Sequence, residues 1–434
     1  MKSWLISLLG LLLWQVIATA QPRREDIYSG FVLYDKRAWL EKDLRENVIG
    51  RTFSQAIDSN SEYRFESACL AIAQFQLSGP EVANGFDKLF LQYDSLQYDT
   101  KRALLEAVYA IYPGAYAQQV QNVLLKETNP RLFAMSAAYL FRQDTSINKA
   151  NEIKIRMVEQ FSNYDSIPLL LALESYLNNF LPNKAHKTPD ITALFANQAS
   201  RKQKTIYSFQ RWNRDYPGLA IVQDAAGRFM RHPDGRLMIF EQLARSASDL
   251  PYFITNGSTP QGIYSIQGTA SSKNTLIGPT PNLQLIMPNE SNWDNYFQLP
   301  PWEHWDSTRD SMAAYLDLLP PSWRKYTPIT EVFQAGLIGR SEIIAHGTTI
   351  DPEYFKSKPW YPLTPTNGCL CAKELWNVSN GHLLVSEQFN LVSTFMATPG
   401  GKGYLFVINL DDQHAPVSRA ELERYVKAYE RSRY

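Results

Sequence analysis

Four apolar segments in the first half of the chain recur at a regular interval and then stop. They are SACLAIAQF from Ser67, RALLEAVYAIYPG from Arg102, RLFAMSAAYLF from Arg131 and PLLLALESYLNN from Pro168, and their starts lie 35, 29 and 37 residues apart. Within each, apolar residues return every three or four positions, the spacing of an amphipathic helix. Pro113-Gly114, Pro130 and Pro168 fall where helices can begin or end. A repeat of this length suits a helix pair, and one pair cannot bury its own apolar face, so the units must stack. The spacing therefore predicts an all-α scaffold over residues 21–200, either a short HEAT-like or TPR-like solenoid or an irregular bundle. A full TPR signature is missing, and this half carries no catalytic constellation.

After the polar stretch NQASRKQKT, near residues 197–205, the pattern changes. GLAIVQD and GRLMIFEQLA read as strands joined around a Pro-Asp-Gly turn, and TPQGIYSIQG, NLQLIMP, SEIIAHG and GYLFVINL are further short strands punctuated by Gly and Pro. Residues 205–415 are thus expected to form a β-rich domain. SRAELERYVKAYERSRY returns to helix over 416–434, with Ser418 and Glu421 as a capping box and many charges that predict a solvated surface. The fold class expected is multidomain, helices first and a β-rich domain after.

Lys2 precedes an apolar run that ends in Ala18-Thr19-Ala20 and is followed by QPRRE. This reads as a secretory signal over residues 1–20, so the mature chain is expected to be exported, to the periplasm or cell envelope, and not integral to the membrane. Forty-three basic side chains balance forty-three acidic ones, which argues against a nucleic-acid partner. Cys69, Cys369 and Cys371 are too few for a disulfide framework, and a bond between residues two apart would close a strained ring. Cys69 falls on the apolar side of a helical pattern and reads as a core thiol. The six histidines are scattered rather than spaced for zinc, so neither metal nor cofactor is expected.

A thiol needs a base to become a nucleophile near neutral pH, since a free cysteine titrates near pH ~8.5. Cys369 follows Gly368, whose freedom permits a sharp turn with exposed amide N–H groups. His346 ends an apolar strand and is followed by Gly347. An imidazole beside the sulfur could take its proton and leave a thiolate–imidazolium pair. The alternative from the residues alone is a half-buried thiol near an unrelated histidine.

Three segments, in order, resemble the catalytic domain of the L,D-transpeptidase (YkuD-type) family. They are Thr259-Pro260-Gln261-Gly262-Ile263-Tyr264-Ser265-Ile266, then His346-Gly347-Thr348, then Thr366-Asn367-Gly368-Cys369. The resemblance covers roughly residues 215–412 and leaves the helical half outside it. It implies that Cys369 attacks a carbonyl of a peptidoglycan stem peptide to form a thioester and that His346 is the general base. It also implies that the Gly347 carbonyl orients the imidazole and that the N–H groups of Gly368 and Cys369 hold the oxyanion. Tyr264, Thr348, Thr366 and Asn367 would contact substrate. An amine then resolves the thioester to a crosslink, or water resolves it to a trimmed stem. Two positions depart from the family pattern: Asn367 replaces a histidine, and Cys371 replaces an arginine that can pair with a carboxylate. Arg340 and Lys373 are the cations that could substitute.

Residues 289–335 form an insertion rich in aromatic side chains, placed just before the histidine strand. Trp302 and Trp305 could stack on sugar or stem, while the simpler expectation is an apolar subdomain closed under its own helix. The helical half is expected to dock a protein partner or to hold the catalytic domain near the wall.

Overall fold

The computed structural model describes residues 23–180 and 187–433. The signal sequence read from residues 1–20 lies outside the described residues. The four repeated segments form the helices Glu62–Phe75, Tyr98–Ile111, Pro130–Gln143 and Pro168–Asn179. Between them run Pro80–Leu91, Ala117–Lys126 and Ile147–Gln160. Each of the four packs on the next in the series, so the repeat is a stack of helix pairs. Local chemistry sets the starts. Pro80, Pro130 and Pro168 occupy first turns, where a missing N–H costs nothing. The Asn129 side chain accepts from the Arg131 and Leu132 amides, and Ser146 Oγ accepts from Lys149 N–H.

The β-rich half contains ten strands: β1 Thr205–Gln210, β2 Gly218–Gln223, β3 Phe240–Leu243, β4 Gly262–Ala270, β5 Asn282–Ile286, β6 Ala345–His346, β7 Leu370–Ala372, β8 Glu374–Trp376, β9 Leu383–Ser386 and β10 Gly403–Asn409. Eight of them close a barrel in the order β1-β10-β4-β5-β6-β7-β3-β2, and β8 and β9 form a separate hairpin. The pairs β1–β10 and β6–β7 are parallel; the other barrel pairs are antiparallel. Closure leaves the barrel itself without an open edge. Strand β1 is buried along its whole length, which removes the alternating pattern by which a strand is recognised in sequence.

Two expectations about boundaries change. The helix Ile191–Ser200, assigned above to the helical half, packs on the barrel through Ile191, Leu194 and Phe195, with Phe195 edge-on to Tyr207 at 4.8 Å. The C-terminal helix Arg419–Ser432 does open with the Ser418–Glu421 capping box, but it is not merely solvated, because Leu422, Val426 and Tyr429 are buried in the same core. Tyr429 meets Phe195 at 5.8 Å, so the two helices cover one face of the barrel together.

The halves share a core. Leu243, Leu250, Phe253, Ile350, Phe355 and Trp360 of the β-rich half are buried in one cluster with Phe65, Phe86 and Phe133 of the helices. Polar contacts reinforce it: Asn256 Nδ2 donates to Glu106 at 3.1 Å, Gln76 Nε2 to Ala247 O at 2.8 Å, and Arg131 to Thr255 Oγ1. The loops that join β3 to β4 and β6 to β7 thus supply the β-rich half's share of this core. Among the described residues no helix is long and apolar enough to cross a membrane.

Candidate active site

Strands β6 and β7 bring together residues 25 positions apart in sequence. Ala345 lies opposite Leu370 and His346 opposite Cys371. Ala345 and Leu370 belong to the barrel core, so strand alternation turns His346 and Cys371 to the other face. Cys369 immediately precedes β7, one residue before Leu370, and its thiol lies along the backbone that leads into β6. Leu243, opposite Cys371 on β3, packs into the core of the helical half.

The His346 ring is buried, and its Nδ1 donates to the carbonyl of Gly347. A carbonyl accepts only, so Nδ1 carries the proton and Nε2 is the basic nitrogen of the neutral ring. Burial pulls the imidazole down to about 4 against the opposing effect of that carbonyl. Cys369 is half-buried, and its thiol accepts from Ile344 N–H at 3.4 Å and donates to Glu342 O at 3.5 Å. Burial pushes the thiol up to about 11. The Ile344 amide and the Arg340 guanidinium oppose that rise, and Glu342 and Glu290 add to it. Thiol and imidazole are both neutral near pH 7. The resting site is not the thiolate–imidazolium pair expected above, and among the described residues no hydrogen bond joins Cys369 Sγ to the ring.

The turn before the nucleophile is held tightly. Gly368 has φ +117°, and a Cβ there would lie 2.4 Å from Arg340 Nη2. Its N–H donates to Thr366 Oγ1 at 3.2 Å, so the resting turn does not offer this amide to an oxyanion, contrary to the expectation for Gly368. The Cys369 amide has no protein acceptor among the described residues and is the free donor of the two. Thr366 Oγ1 donates to Cys369 O at 2.8 Å, and Thr259 Oγ1 to Gly368 O at 2.9 Å. Arg340 is buried, with its guanidinium donating to Tyr252 O, to Ser258 O at 3.1 Å and to Gly257 O at 2.9 Å. It stands beside the turn as a fixed positive charge. Lys373, the other cation considered, is paired with Glu241.

The remaining sequence-derived residues divide. Asn367 is exposed beside the turn. Thr348 is buried, donating to Leu276 O at 3.0 Å and accepting from Ile350 N–H at 3.1 Å, so it braces the loop after His346. Tyr264 cannot meet a substrate: it is wholly buried, and its hydroxyl donates to Pro260 O at 2.8 Å. The aromatic insertion mostly packs on the barrel. Tyr296 and Tyr315 bond the backbone of Ile263, and Trp323 is buried. Trp305 is half-buried and stacks on Phe297 at 4.9 Å, leaving Trp302, 83% exposed, as the aromatic open to a ligand.

Sequence reading missed Glu290, Glu342 and Glu374. Glu290 accepts from Glu342 N–H at 2.6 Å and ties the start of the insertion to the segment under Cys369. A carboxylate in a polar stretch gives no periodic signal, so only the fold could reveal these neighbours. Cys69, Cys369 and Cys371 are all free, and Cys69 and Cys371 are buried. Among the described residues no three His, Cys, Asp or Glu side chains gather as a metal site. A separate cavity of about 270 Å³ lies between the halves, lined by Tyr109, Arg142, Trp212, Arg214 and Glu331, and includes neither Cys369 nor His346. Compared with protein-family models, curated proteins and solved structures, the chain matches none.

Proposed function

We propose that the chain is an exported cysteine acyltransferase of the L,D-transpeptidase type, acting on peptidoglycan stem peptides in the periplasm or cell envelope. The observation that carries the reading is the pairing of β6 with β7. It sets His346, with Nδ1 engaged and Nε2 basic, beside the strand that Cys369 immediately precedes, and the Cys369 amide is free among the described residues.

In this reading the thiol leaves Glu342 O by rotation about its side-chain bond when substrate binds. Its proton passes to His346 Nε2 as Sγ bonds to the scissile carbonyl carbon. A neutral pair suits this concerted route, because no charge has to be maintained in a buried site before attack. The Cys369 amide stabilises the oxyanion, and Gly368 N–H joins it if the turn releases Thr366. Collapse breaks the C–N bond, and the imidazolium returns its proton to the departing amine. An acceptor amine then attacks the thioester, the C–S bond breaks, and the thiol is restored. Water in place of the amine gives a trimmed stem, the hydrolytic variant of the same chemistry. Arg340 replaces the arginine lost at Cys371 as a local field, but its donors are engaged, so it cannot grip a substrate carboxylate as it stands.

A non-catalytic, wall-binding scaffold is the second reading. It is favoured by the thiol bonded to Glu342 O and by the neutral resting pair.

Incubation of the purified chain with stem peptides tests the proposal. A covalent adduct on Cys369, absent in Cys369→Ser and strongly slowed in His346→Ala, is expected by intact mass. Crosslinked dimers in the product identify transfer, and shortened stems identify hydrolysis. No adduct across pH 6–9 would leave the scaffold reading.

A further inference from the structure

A buried carboxylate behind the histidine takes no part in the chemistry above. Glu374 opens β8 and is almost wholly inaccessible. Its Oε2 accepts from Thr348 N–H at 2.8 Å, and its Oε1 accepts from Ser386 Oγ at 2.6 Å. The Thr348 N–H and the Gly347 C=O are the two ends of one planar peptide unit. His346 Nδ1 holds the carbonyl end, and Glu374 holds the amide end. A planar unit gripped at both ends cannot flip without losing both bonds. Two-residue neighbours reinforce the grip, because Trp376, also on β8, donates from Nε1 to Thr348 O at 2.8 Å.

The glycine of His-Gly-Thr fits this arrangement. A Cβ on Gly347 would stand 2.0 Å from Glu374 Cδ, so the carboxyl occupies the space any other residue would need. The φ of Gly347 is not positive; close approach, not backbone conformation, is what requires glycine here.

We infer that Glu374 is a positioning residue that locks the Gly347–Thr348 peptide and thereby fixes His346 in the tautomer with a protonated Nδ1 and a basic Nε2. The lock depends on reach rather than on charge alone. Its catalytic consequence rests on the acyltransferase reading; the tautomer itself does not.

The test uses the full chain with ¹⁵N-labelled histidine, the His346 signals being assigned by their loss in His346→Ala. Ring-nitrogen shifts of the Nδ1-protonated form are expected in the wild type and in Glu374→Gln, whose amide oxygen still reaches Thr348. Glu374→Asp keeps a carboxylate but is one methylene short, and Glu374→Ala removes it. Both should move the signals toward a mixture of tautomers. With stem peptide they should lower kcat on the order of ten-fold or more, with KM little changed, since a correctly oriented base is worth roughly 10²–10⁴. Wild-type tautomer shifts in a folded Glu374→Asp or Glu374→Ala protein would overturn the inference. If neither variant folds, the wild type decides: a protonated Nε2 or a tautomer mixture there would overturn it equally. The expected tautomer with no adduct on Cys369 would instead refute the acyltransferase reading and leave the lock in place.

Discussion

Replacing Gly368 by alanine should damage the protein in two separable ways. The backbone at this position has φ +117°, which a residue with a Cβ adopts at a cost of about 1–3 kcal/mol. The new Cβ would also lie 2.4 Å from Arg340 Nη2 and 2.7 Å from Gly257 O. Arg340 cannot swing away freely, since its guanidinium is bonded to three carbonyls of the β3–β4 loop. Overpacking of this kind adds about 1–3 kcal/mol. The sum, roughly 2–6 kcal/mol, is a large part of an ordinary stability of about 5–15 kcal/mol. Gly400→Ala is the control, because Gly400 has φ +86° and a Cβ there meets nothing within 4 Å. Urea unfolding of both variants separates backbone strain from the Arg340 contact. Iodoacetamide labelling near pH 9 gives the second readout, with Cys69 and Cys371 buried and therefore silent. Displacing the guanidinium removes a charge that holds the thiol down, so labelling of Cys369 should slow. A Gly368→Ala protein no less stable than Gly400→Ala, and labelled at the wild-type rate, would refute the account of this turn.

Other consequences are equally open to measurement. Burial raises Glu106, Glu331 and Glu374 each to about 7, so the folded chain keeps three protons that the unfolded chain loses above its ordinary carboxylate range. Stability should therefore fall as pH rises from about 4.5 to 7, by as much as ~1.4 kcal/mol per pH unit for each group. His346, lowered to about 4, opposes this between about 4 and 6.5, because there the unfolded chain binds the extra proton. Three groups against one leave a net decline. Urea unfolding at pH 5.5 and 7 should show it, Glu374→Gln should make it shallower, and a rising curve would contradict it. Tyr315→Phe removes a hydroxyl that donates to Ile329 O at 2.5 Å and accepts from Ile263 N–H at 3.1 Å; at about 1–3 kcal/mol for each orphaned buried group, unfolding should register a loss of ~2–6 kcal/mol. Trp302→Ala should leave stability within about 0.5 kcal/mol while weakening stem-peptide binding, read as a raised KM.

Several features were legible because the interaction that creates them is local. The repeated helices announce themselves through apolar spacing and Pro or Asn caps, and the Ser418–Glu421 box needs only a three-residue interval. Strand β1 was not legible, since burial on both faces erased its alternation, and the Ile191–Ser200 helix was credited to the wrong half because its partner, Tyr429, is far along the chain. Tyr264 follows its motif in sequence, yet the closed barrel turns it inward.

The sequence by itself determined the order of helical and β-rich halves, the nucleophile and base worth considering, and the glycines flanking them. Composition and spacing act over a few residues, and that is their range. Only the tertiary structure decided that β6 lies beside β7, that the two halves share a core, and that Arg340 stands at the Gly368 turn. It alone put Glu374 behind Gly347. Burial then set the protonation of Cys369 and His346, because the cost of charge depends on what surrounds a group in space and not on its neighbours along the chain.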